Sequence, residues 1–404
     1  MRDRYSLRLL ESVKCINIQW GDLMKKICYI ILILCFSLVS CAPTENVIDD
    51  GTQANTTDLN DYENVLNSLD EEQIGKLPQN IKCVVNDKLN IDSEINIWDA
   101  TSYYVKSGKV KAINFSENKD KCYDLMEKLA KAINLNKDVC VQSHRSENGN
   151  EIYLWDNNYT QDSIAIRNDS ALAETHDGKL AVSASKFGTY YSPFNDKDKF
   201  RTDKQLMFMS AEEAEELAVK TAKELEINVC EKNELYVLDD KNTLIFPEDD
   251  TDKQNDTYVF FMFPDVYGIP YSRCPENEAL TGYANQENHL VIAMDEKGIS
   301  FLDIPPLYDW VETTETGEIL HPSSILSKEV DKLKKYVTSG DIEVSEISLE
   351  YMLFADKNET YDIKPVWVVY YYQNQLVTGE NSYTQKMALY DVYDAYTGEE
   401  YRIQ

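Results

Sequence analysis

The chain has 404 residues, 71 acidic against 40 basic side chains, and a formal net charge of −31. That balance argues against nucleic-acid binding, which needs Lys and Arg on phosphates, and against lying flat on an anionic leaflet. With 43% hydrophobic residues, 27 Tyr and 12 Phe, the chain can build real cores, and its length calls for two or three domains.

In chain order, residues 1–23 place Asp3, Glu11 and Asp22 ahead of a short basic segment. Such residues do not belong in front of a signal peptide, and we expect translation to start at Met24. The codons of Trp20 and Gly21 would supply the G-rich run of a ribosome-binding site. Residues 24–40 then read MKKICYIILILCFSLVS: Lys25 and Lys26, an apolar run from Ile27 to Phe36, and small residues at the end. These are the parts of a secretory signal peptide. A membrane-spanning helix needs about 20 apolar residues, and Ser37 and Ser40 interrupt the run well before that. The closing Leu38-Val39-Ser40-Cys41 resembles the lipobox of bacterial lipoproteins. The resemblance implies diacylation of Cys41, which becomes the first residue of the mature protein. Residues 1–40 carry a net charge of +3, so the mature chain lies near about −34.

Residues 41–75 are rich in Asp, Asn, Thr and Glu and read as an acidic flexible tether, with at most a short helical turn over residues 61–69. Three amphipathic helices follow. Residues 119–135 carry Cys122, Leu125, Met126, Leu129 and Ile133 on one face. Residues 210–227 open with Ser210 three positions ahead of Glu213, a capping box, and carry Ala214, Leu217, Ala218, Ala222 and Leu225. Residues 324–337 carry Leu326, Val330, Leu333 and Val337.

Strands follow each helix: residues 151–155 and 163–167 after the first; 234–238, 258–263, 289–293 and 299–304 after the second; 342–354, 363–372 and 386–394 after the third. Within 342–354 the apolar positions change parity, which predicts a bulge near Ser345-Glu346. Ser210 and Ser324 are 114 residues apart, as are Leu235 and Leu349. The expected fold class is therefore α+β: tandem modules of one helix packed on a three- to four-stranded antiparallel meander. Their expected limits are 76–205, 206–305 and 322–404, with 305–322 as a linker.

The helix start SAEEAEELA, the phrase DVYGIPYS (265–272), HLVIAMDEKGISFLDI (289–304) and the ending IKPVWVVYY…YDVYDAYTGEEY (363–401) resemble extracytoplasmic repeats of Gram-positive regulatory proteins. These include YycH/YycI-type regulators of a cell-wall sensor kinase and PepSY-like modules. The whole chain looks most like a lipoprotein of low-GC Gram-positive (Firmicutes-type) bacteria. The resemblance implies a regulatory rather than catalytic role. Those regulators carry a membrane-spanning helix where this chain has the Cys41 pattern.

Chemistry-bearing motifs are sparse. His144, His176, His289 and His321 have no metal-site spacing, and no G-x-S-x-G, P-loop or G-x-G-x-x-G occurs. After Cys41 the cysteines are Cys83, Cys122, Cys140, Cys230 and Cys274; without a C-x-x-C pair they read as buried thiols. The acidic loop 239–256 offers Asp249, Asp250, Asp252 and Asp256 to calcium, but lacks the Gly and Glu of an EF-type loop and reads as a solvated loop. In 366–372, alternation puts Trp367, Val369 and Tyr371 on one face, toward the third helix, and Val368, Tyr370 and Tyr372 on the other. Tyr370 and Tyr372 are the candidate binding surface.

These features predict a non-enzymatic protein, without a cofactor, on the outer face of the cytoplasmic membrane. It is held there by lipid on Cys41 and acts on an envelope protein or peptide. The alternatives are a solute-binding lipoprotein of an importer, which would need β-α-β alternation, and a surface hydrolase.

Overall fold

Strands dominate the chain and join into sheets far larger than any one meander. A computed structural model describes residues 60–70, 77–147, 149–178, 205–238, 256–273, 289–335, 340–355, 360–377 and 383–401. Among the described residues strand accounts for 52% and helix for 21%, and the strands form sheets of seven and nine. The expected tandem modules, each with its own small sheet, are therefore incorrect. A short meander leaves two unpaired edges, and here those edges pair with strands from distant parts of the chain.

The nine-stranded sheet is antiparallel throughout. Its first group follows α2 (Lys119–Ala132): β4 (Val141–Glu147), β5 (Asn150–Asp156), β6 (Ser163–Ile166) and β7 (Ala171–Glu174). Its second follows α3 (Ala211–Glu224): β8 (Val229–Leu238), β9 (Thr257–Val266), β10 (Ile269–Pro270), β11 (Leu290–Asp295) and β12 (Gly298–Ile304). The groups meet through their last strands, with Phe301 opposite Glu174 and Ile304 opposite Ala171. Both helices cover one face, where Cys122, Met126 and Leu129 share a core with Ala214, Ala218, Phe260 and Leu302. The capping box at Ser210 and Glu213 is present. The opposite face is buried as well, through Tyr236, Val259, Phe261 and Val291. Burial on both faces accounts for the unbroken apolar run of β9.

The seven-stranded sheet collects both ends of the described chain. β1 (Asn80–Asn86) and β2 (Leu89–Asn96) form a hairpin, and β2 pairs in parallel with β14 (Ile342–Ala355). β14 pairs with β15 (Tyr361–Val377). The far edge of β15 is shared by β16 (Tyr383–Asp394) and, at Tyr361–Ile363, by β3 (Tyr104–Ala112), beyond which lies β13 (Tyr308–Glu318). A register shift falls between Val344 and Glu346, where the parity change predicts it. Trp367, Val369 and Tyr371 pack with Ile325, Leu326 and Val330 of α4 (Pro322–Leu333).

Two further expectations are corrected. The segment between the prolines at 305 and 322 is not a linker, because eleven of its residues form β13. The tether does not run to residue 75: α1 (Asn60–Asp70) buries Tyr62 and Leu69 in the core beneath α4. Its stripe of Tyr62, Val65, Leu66 and Leu69 has helical spacing. Burying one leucine fully contributes about 1.5–3 kcal/mol, and Tyr62, with Val65 and Leu66 packed beside it, adds to that.

Candidate functional site: the junction between the sheets

The two sheets are joined by the segment around DVYGIPYS. Val266 pairs with Ile269, leaving Tyr267 and Gly268 as a two-residue turn with φ of 55° and 77°, the geometry that suits a tight hairpin. Gly268 is required there, since an added Cβ would lie 2.9 Å from the Asp99 carbonyl oxygen. Beyond β10 the chain crosses to the other sheet. Tyr271 bridges to Tyr351, and the Ser272 amide donates to the Tyr351 carbonyl at 2.7 Å.

This path delivers Arg273 to a closed polar cage. Its backbone amide and its Nε each donate to Glu350 at 2.9 Å, and its Nη2 donates to Glu346. The Tyr370 hydroxyl donates to Glu350 at 3.0 Å. The guanidinium lies 5.0 Å from the Trp98 ring, 5.1 Å from Tyr370 and 5.7 Å from Phe263. Trp98, itself at a φ of 53°, donates from Nε1 to Ser348 Oγ at 3.0 Å. Burial pulls the Arg273 guanidinium down, but Glu346 and Glu350 outweigh it and hold the group well above its ordinary value. The glutamates and aromatic rings that surround this cation make the cage a clamp between sheets rather than a free anion site.

Beside the clamp, β8 leaves its ladder. Val229 pairs with Pro264 and Asn233 with Met262, so Cys230, Glu231 and Lys232 bulge toward the other sheet. The Glu231 amide donates to Asp99 Oδ2 at 2.9 Å, and Lys232 Nζ donates to Glu94 and to Asn96. Asp99, Cys230 and Asp265 converge there, with one donor atom from each lying within 4.8 Å of the others. Burial pushes the Cys230 thiol up, and Asp265 and Asp99 push it further. Burial raises Asp265 too, against the Gly268 amide, and Asp99 adds to the rise.

A second titratable cluster lies under α4. Glu329 is fully buried and accepts from the Tyr393 hydroxyl. Burial and the neighbouring Asp391 push its carboxyl up to about 8. Lys332 Nζ reaches Asp391 at 2.6 Å and Glu400 at 2.8 Å.

Tyr370 is buried to 3% exposure and belongs to the clamp instead of an open patch. Tyr372 is half-buried, with Lys386 Nζ 3.8 Å above its ring. Asp256 precedes β9 and is half-buried; Asp249, Asp250 and Asp252 lie outside the described residues, as does Cys41. Cys83, Cys122 and Cys230 are buried, and Cys140 is half-buried. Sequence reasoning did not find Arg273, Glu350, Trp98, Asp99, Cys230 or Asp265. One signal was available: Glu350 stands between Leu349 and the apolar run 351–354 of β14. Among the described residues no helix is long and apolar enough to cross a membrane. No protein-family model matches the chain, and no curated protein is detectably similar to it.

Proposed function

We propose that the chain is a lipid-anchored, extracytoplasmic binding or regulatory lipoprotein that acts on an envelope protein or peptide and catalyses no reaction itself. The observation that carries this reading is the pattern of Lys25-Lys26, a short apolar run and Leu38-Val39-Ser40-Cys41, set ahead of a folded unit spanning Thr56–Gln404. Two acyl chains on one cysteine hold durably where a single chain holds marginally.

A surface suited to a partner supports the reading. Among the described strands β13 pairs with β3 alone, and eight of its eleven residues are exposed. Val311 is 57% and Tyr267 56% exposed, and the Tyr267 ring meets Trp310 at 5.2 Å. Exposed aromatic and aliphatic groups bordered by charges of both signs, Asp309 and Glu312 opposite Lys111 and Lys109 of β3, suit a partner segment. The importer alternative loses support, because its two-lobed α/β architecture rests on parallel strands. Here β2 with β14 is the one parallel ladder between described strands.

Two measurements test the proposal. Cys41→Ser should abolish incorporation of labelled fatty acid and release the protein from membranes; unchanged labelling would overturn the anchor. A photo-crosslinker at Val311 in native membranes should give a discrete protein adduct, and one at Tyr159 on the other sheet should not. Recovery of no adduct from either position would overturn the partner face.

A further inference from the structure

The bulge of β8 brings together three side chains of types that can ligate a metal. Asp99 follows Trp98 at the end of β2, Cys230 sits in the bulge, and Asp265 stands at the base of the Tyr267–Gly268 turn. They come from three segments, two in the nine-stranded sheet and one in the turn that follows β2, yet their donor atoms lie within 4.8 Å of one another. Cys230 is 2% exposed and its thiol has no side-chain hydrogen-bond partner among the described residues. Each carboxylate is oriented through a backbone amide, Asp99 by Glu231 at 2.9 Å and Asp265 by Gly268 at 3.2 Å. Ligands in metal sites are held by such outer hydrogen bonds.

The charge balance also points to a cation. Two carboxylates and a thiol crowd together, and the neighbouring cations are bound elsewhere, Arg273 to Glu346 and Glu350 and Lys232 to Glu94 and Asn96. We propose that Asp99, Cys230 and Asp265 form a binding site for a zinc-class divalent cation that bridges the two sheets. One sulfur and two oxygen donors suit a borderline ion, whereas calcium takes six to eight oxygens. Zinc bonds of about 2.3 Å to sulfur and about 2.1 Å to oxygen require the cluster to contract modestly around the ion. A fourth position stays open to water. On binding, the Cys230 S–H bond breaks, its proton passes to solvent, and the thiolate donates its electron pair to the metal.

The full chain, purified in detergent, is titrated with Co2+ as a spectroscopic probe. The expected result is a thiolate-to-cobalt charge-transfer band that saturates at one ion per chain and is removed by Zn2+. About one proton is released per ion in calorimetry across buffers of different ionisation enthalpy. Cys230→Ala should lose the band while near-ultraviolet circular dichroism shows an unchanged fold. Asp99→Asn should weaken binding at least tenfold. A folded wild-type chain without the band would overturn the site. So would a band that survives in Cys230→Ala, or equal affinity in Asp99→Asn.

Discussion

At the scale of single residues, Glu329 shows how burial becomes a pH dependence. Its carboxyl titrates near 4.5 in an unfolded chain and near 8 in the folded one. The folded state therefore binds this proton more tightly. Its stabilising effect is full below about 4.5 and is lost progressively as pH rises toward about 8. Glu329→Gln keeps the shape and cannot ionise. Chemical denaturation at several pH values should show a flatter stability profile across that window, and an unchanged slope would assign the dependence elsewhere. Gly268→Ala tests the turn at the junction. With φ at 77° and Asp99 in the way of any Cβ, it should cost about 1–3 kcal/mol, read as a lower urea midpoint.

At the scale of elements, the Arg273 clamp makes a sharper demand. Arg273→Met leaves Glu350, which is fully buried, without its cation and should cost about 3–5 kcal/mol. Adding Glu350→Gln should recover part of that loss, because the uncompensated charge is then gone. If the double variant is no more stable than the single one, the cost lies in packing against Trp98 and Phe263. Much at this scale was legible beforehand. The stripes of α2, α3 and α4, the Ser210–Glu213 box and the bulge before Glu346 are local patterns, and local patterns leave periodic traces. Which strand lies beside which leaves no such trace. β7 meets β12, and β2 meets β14, through backbone hydrogen bonds that any residue can supply. The tandem-module expectation failed on that point. β13 escaped notice because its Asp, Glu and Thr residues are exposed on both faces, so no alternation marks it. The junction was illegible for a related reason: Asp99, Cys230 and Asp265 are brought together by two turns and a bulge, not by a spacing.

At the scale of the whole molecule, the clamp and the Asp99–Cys230–Asp265 cluster sit where the sheets join, while the β13 surface lies at one sheet's outer edge. Between them lies the Tyr267 turn, whose ring lies against both Trp310 and Lys106. The parallel pairing of β2 with β14 has a different consequence, one of timing. Ile342 aligns with Leu89 and Ser348 with Asn96, a separation of about 250 residues. Closing so long a loop is slow and entropically costly. The hairpin of β1 and β2, among the first folded elements to emerge from the ribosome, waits for nearly the whole chain before it gains its neighbour. In pulsed hydrogen exchange during refolding, amides of β2 should therefore acquire protection late and together with those of β14. A chain truncated before residue 342 should leave that hairpin open to proteases, although α2 and the meander of β4–β7 lie entirely upstream of the cut.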